Sequence, residues 1–115
     1  MKKYKNLKLN TIDGFTIARA SKEEINLPYD ILIKSNNSVY KNEGFPRVGV
    51  VIGNNIVPVS ISENPRILSS YNFDYSDYVF LWITKYQEIL LKHWNGDVSD
   101  LVLLNTVSND KKTNY

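Results

Sequence analysis

The chain has no cysteine and a single histidine, His93. Without cysteine there are no disulfides, no thiolate metal sites and no cysteine nucleophile. This is in keeping with a reducing cytoplasm, the expected location. With one histidine, a metal would have to be held by carboxylates and amides, and no metal or other cofactor is expected. Long apolar runs are missing as well. Val50–Ile52, Val79–Ile83 and Leu101–Leu104 are short, whereas a membrane span needs about 20 apolar residues. The lysines of MKKYKNLKLNTIDGF are not followed by an apolar core of signal-peptide length, so the chain reads as soluble. An excess of one charge is also lacking. Fourteen Lys and Arg against twelve Asp and Glu leave a formal net charge of +2. That is too weak to demand nucleic acid and has the wrong sign for a DNA mimic. Gly44, Gly49, Gly53 and Gly96 fit neither a phosphate-binding loop nor a dinucleotide fingerprint.

What is present fits one small globular domain. The chain has 115 residues, of which 43% are hydrophobic, enough to bury a core. It is rich in Asn, Lys, Ile and Tyr, residues with AT-rich codons, which points to a bacterium, phage or plasmid. Residues 1–10 and 108–115 are polar and are expected to be flexible ends.

Periodicity gives an α+β reading. Phe15–Ala20 predicts a strand with Phe15, Ile17 and Arg19 on one face. Ser21-Lys22-Glu23-Glu24 predicts a capped helix kept short by Pro28. Tyr29–Lys34 predicts a strand through Tyr29, Ile31 and Ile33. Residues 35–46 read as a loop. Arg47–Ile52 and Ile56–Ile61 predict a hairpin around Gly53-Asn54-Asn55. Pro58 marks the second arm as an edge strand or bulge, and Gly49 implies a close approach or a bulge. Residues 62–73 read as irregular, with a turn at Asn64-Pro65 and a single helical turn after it.

Ser76–Asn95 predicts the main helix, capped by Ser76 or Asp74 and closed by Gly96. Val79, Trp82, Ile83, Tyr86, Ile89, Leu90, His93 and Trp94 gather on one broad face at 3.6-residue spacing. Asp77, Lys85, Glu88 and Lys92 lie opposite. A short second helix is expected over Ser99–Val107. The predicted architecture is a small antiparallel sheet of three to four strands packed against the main helix.

Residues 31–96 resemble a family of small, functionally uncharacterised bacterial proteins. That family has a strand ending in a Ser-Asn loop, a Pro-Pro-His-x-His hairpin entry, a two-stranded hairpin and a helix ending like Glu-Leu-Leu-x-x-Trp. The similar pieces here are Ile31-Leu32-Ile33-Lys34-Ser35-Asn36, Phe45-Pro46-Arg47-Val48, Ile56–Ile61 and Glu88-Ile89-Leu90-Leu91-Lys92-His93-Trp94. The resemblance implies the same α+β fold and a setting beside toxin–antitoxin pairs. Gly44-Phe45-Pro46-Arg47-Val48 stands where the family has its histidines, so no metal or acid–base role carries over.

Three function classes can be weighed. His93 is the one base near neutral pH, but nucleophilic catalysis also needs a nucleophile and an orienting group. A partly buried His bonded to a backbone carbonyl or to water is the plainer reading. The oxygen ligands of Asn95–Asp100 lack the order and closing Glu of a calcium loop, and read as a C-cap followed by an N-cap. Lys2, Lys3, Lys5 and Lys8, with Arg47 and neighbouring Tyr40 and Lys41, could contact phosphates, as a nucleic-acid binder or as a toxin-like nuclease using His93.

Protein binding is favoured over both. Leu81 falls in the charged face of the main helix, and Phe80 and Leu91 flank its apolar face. Either the second helix covers them through Leu101, Val102 and Leu104, or they form an exposed patch for a partner or a second copy of the chain. Tyr29, Tyr40, Tyr71, Tyr75 and Tyr78 sit in loops or at element ends, as interface tyrosines often do. The candidate protein-binding residues are therefore Tyr78, Phe80, Leu81 and Leu91. The expected function is a non-catalytic regulator or inhibitor of a protein partner, antitoxin-like or directed against host defence, with a homodimeric structural protein as the other possibility.

Overall fold

A computed structural model describes residues 17–34 and 45–113. The elements run β1 (Ile17–Ala20), α1 (Lys22–Ile25), β2 (Ile31–Lys34), β3 (Arg47–Ile52), β4 (Asn55–Ser60), α2 (Ser76–Lys85), α3 (Gln87–Trp94) and α4 (Asp100–Thr113). The strands form an antiparallel meander in sequence order, β1-β2-β3-β4. The α+β expectation holds. Phe15, the basic residues 1–10 and the loop 35–44 lie outside the described residues.

Register explains which side of the sheet is the core. Ala18 pairs with Ile33, Ala20 with Ile31, Ile31 with Val50, Val50 with Val57 and Val48 with Val59. Strand side chains alternate with a period of two, so all eight of these residues share one face, and all are buried. Arg19 belongs to the opposite face. The expected face of β1 is thus the outer one, because Arg19 reaches Asp30 instead of the core.

The β3–β4 turn is two residues long, closed by Ile52 opposite Asn55, with Gly53 at φ 60°. Gly49 meets the expected close approach: a Cβ there would lie 2.6 Å from Cγ2 of Ile56 across the ladder. Pro58 sits on the last strand, as expected. Its carbonyl accepts from Leu68 N–H at 2.9 Å, and Ser60 N–H donates to Arg66 at 2.9 Å. The backbone of Pro58 therefore faces away from β3, and its missing donor costs the β3–β4 ladder nothing. Residues 66–68 run along this edge, with Ile67 bridging Val59. The helical turn expected after Pro65 does not form.

Around α1, Ser21 Oγ accepts from Glu24 N–H, the N-cap bond that Ser-x-x-Glu predicts, and the Glu24 carboxylate accepts from the Ser21 hydroxyl rather than from its backbone N–H. Asn26 ends the helix at φ 58°. Asp30 then joins three elements. Arg19 donates to its Oδ2 from Nε at 2.9 Å and from Nη2 at 2.7 Å, and Lys22 N–H donates to its Oδ1 at 2.8 Å. Partial burial pushes the Asp30 carboxyl up, but the Lys22 N–H and the Arg19 guanidinium outweigh it and hold the group below its usual value. A depressed carboxylate contributes stability above its unfolded pKa and loses it as pH falls through the folded pKa. Asp30→Asn is therefore expected to flatten the stability–pH curve below about pH 4. Urea melts from neutral to acid pH check this, and parallel losses in wild type and variant would contradict it.

The main helix is broken. At Tyr86 the backbone turns to φ −107°, ψ 21°, so Ser76–Asn95 is two helices, α2 and α3, with one apolar stripe. No Gly or Pro marks the break. The Tyr86 ring lies tilted on Trp82, 5.5 Å between centroids, with Lys85 Nζ 5.5 Å above it. Val79, Trp82, Ile83 and Leu90 join the sheet side chains in one core cluster, and Trp94 is buried too. Glu88 and Lys92 pair at 3.5 Å on the outside.

Asp97 N–H reaches Lys92 O at 2.8 Å and Gly96 N–H reaches His93 O at 3.0 Å, with Gly96 at φ 82°. This is the Schellman closure that Asn95-Gly96 predicts. Ser99 Oγ then accepts from Val102 N–H, so Asn95–Asp100 is a C-cap followed by an N-cap. The second helix is longer than expected. It runs to Thr113, so 108–113 is helix where a flexible tail was expected. It packs on α1, α3 and β1 and puts Leu103 and Val107 in the core. Ala18 and Ala20 on β1 leave room for it.

Candidate functional site

The candidate surface is built where the chain enters α2. Tyr75 holds φ 62°, ψ 25°, a left-handed conformation that is uncommon for a bulky residue. It occupies the N-cap position without a side-chain cap bond, which corrects the expected capping by Ser76 or Asp74. This conformation sets the Tyr75 ring parallel to that of Tyr78, 5.9 Å between centroids with 5° between planes. The preceding loop is anchored by Tyr29, two residues before β2. Tyr29 Oη donates to the Asp74 carbonyl at 2.7 Å, and its ring meets Phe73 edge-on at 5.4 Å. Partial burial pushes the Tyr29 hydroxyl above its usual pKa, and the charge of Asp74 and the hydroxyls of Tyr75 and Tyr71 push the same way.

The outward side of this region is aromatic and acidic. Tyr75 is 62% exposed, Tyr78 57% and Leu81 68%, and Tyr71 is exposed as well. Tyr75, Tyr78 and Leu81 follow one another at three-residue spacing, which places them along one side of the helix. Asp74 and Asp77 are exposed beside them. Among the described residues neither carboxylate makes an ion pair.

The four expected protein-binding residues divide. Tyr78 and Leu81 are on this surface. Phe80 and Leu91 are partly buried against the core and keep only part of their surface exposed. Of the second-helix residues expected to cover them, Leu101 and Val102 are themselves exposed, while Leu104 is partly buried against the same core. Tyr71 and Tyr75 belong with Tyr78, and their loop and cap positions were the sequence signal. Tyr40 lies outside the described residues.

The basic alternative is not assembled by the described residues. Lys2, Lys3, Lys5 and Lys8 lie outside them. Arg47 is occupied within the fold: its guanidinium sits 5.6 Å over the Trp94 ring and its Nη1 donates to Phe45 O at 3.1 Å.

His93 departs from its expected setting. It is 1% exposed and lies 2.5 Å through Nε2 from Asp100 Oδ1, so its partner is a carboxylate, not a backbone carbonyl or water. Nδ1 has no partner. The pair links α3 to the first turn of α4, with the imidazole buried and the Asp100 side chain 20% exposed. A cleft of about 480 Å³ between Phe45, Ile61 and Arg66 contains no histidine. Among the described residues no three His, Cys, Asp or Glu converge as metal donors, and no helix is long and apolar enough to cross a membrane. Compared with known proteins, the chain matches no protein-family model, no curated protein and no solved structure.

Proposed function

We propose that the protein is a non-catalytic binding module that occupies a protein partner through Tyr71, Tyr75, Tyr78 and Leu81. The observation carrying this reading is the exposure of Leu81 in line with two stacked tyrosines. An apolar side chain left uncovered beside aromatic rings is the composition of an interface core. In biological terms the module acts as a regulator or inhibitor, antitoxin-like or directed against a host system, in a bacterium or mobile element.

The test is Leu81→Asp. Exposed at this position, the charge should change stability by no more than about 0.5 kcal/mol. Partner capture should fall at least about tenfold, since hot-spot losses reach 2 kcal/mol or more. Affinity capture from host lysate with both proteins, with light scattering on each, reads this out. Capture unchanged by the substitution removes the surface from consideration. Capture only of nuclease-sensitive material supports the nucleic-acid reading, and a dimeric mass halved by Leu81→Asp supports self-association.

A further inference from the structure

Two exposed carboxylates beside exposed tyrosine faces specify the charge of the partner. Asp74 and Asp77 flank Tyr75 and Tyr78, and no cation of the described residues pairs with them. An aromatic face attracts a cation through its quadrupole, and a carboxylate accepts charge-assisted bonds from a guanidinium or ammonium group. The left-handed Tyr75 backbone holds one ring against its neighbour, so the aromatic part is organised before anything binds. Leu81 adds an apolar contact one helical turn further on.

We infer that this surface binds a cationic peptide segment of its partner, with an Arg or Lys head against the Tyr75–Tyr78 rings and the Asp74 and Asp77 carboxylates, and a neighbouring apolar side chain on Leu81. This deepens the binding-module reading and rests on it. An anionic partner would meet two carboxylates that no cation of the described residues neutralises, and be repelled. A purely apolar partner would have to desolvate them without compensation.

The experiment uses the full chain on an array of random-sequence peptides graded from acidic to basic. The expected binders are rich in Arg and Lys next to an apolar residue. Asp74→Asn with Asp77→Asn should weaken them by about tenfold. Tyr75→Gly should weaken them as well, without loss of fold, because Gly accepts the positive φ freely. Leu101→Ala, away from the surface, should leave them unchanged. The inference is overturned by binders of neutral or acidic character, by basic binders that the Asn substitutions leave intact, or by no binders at all. If one of these occurs while Leu81→Asp still abolishes capture of the partner, the surface stands and only its cationic preference falls. If Leu81→Asp has no effect on capture, the surface itself is lost.

Discussion

Leu103→Ala is expected to lower stability by about 2–5 kcal/mol, the range for deleting a buried leucine. Leu103 is wholly buried on α4, among the sheet and α3 side chains. Leu101, on the same helix, is 63% exposed, so Leu101→Ala should stay within about 0.5 kcal/mol of wild type. Both variants have similar helix propensity, since each replaces Leu with Ala. The comparison therefore isolates docking of α4 from formation of α4. Urea unfolding followed by circular dichroism gives both values. Equal losses at the two positions would mean that α4 does not pack as described.

Asp100→Ala should cost about 2–3 kcal/mol, because it leaves a buried imidazole without any partner. Among the described residues Nδ1 of His93 has no partner, and Nε2 relies on Asp100. Asp100→Asn, which keeps an oxygen acceptor, should recover much of the loss. Replacing both partners, with His93→Leu and Asp100→Ala together, removes the need for a hydrogen bond and should cost less than the sum of the single changes. Thermal and urea melts of the four proteins complete the cycle. Strict additivity would show that the pair contributes nothing beyond its separate side chains.

Much of the architecture was legible because local chemistry and burial agree. Alternation in Ile31–Lys34 and Arg47–Ile52, the turn at Gly53-Asn54 and the Ser21 and Gly96 caps all appear where their residue types require. The apolar stripe from Val79 to Trp94 was legible too. Its interruption at Tyr86 was not, since neither Gly nor Pro signals it and the stripe continues in phase on both sides. The length of α4 was hidden by its polar C-terminal half. The side of β1 that faces inward depended on Asp30, eleven residues from Arg19. At the candidate site, the misplaced Leu81 was visible as a break in helix periodicity. Phe80 and Leu91 lie at the border of the apolar stripe, where angle alone cannot separate interface from core. The grouping of Tyr71, Tyr75 and Tyr78 required the left-handed turn at Tyr75, which no residue type there announces.

The closure of the last helix over the first elements bears on how the chain is made. β1 and α1 contribute Ala18, Ala20 and Ile25 to the core, yet α4, which packs on both elements, carries Leu103 and Val107. During synthesis at roughly 5–20 residues per second, several seconds separate Ile25 from Leu103. Through that interval the nascent meander can pair its strands, each next to its neighbour in the chain, while its apolar face waits for a cover. A molecular chaperone that holds such faces has its opportunity then, and the opportunity ends when α4 leaves the ribosome and docks.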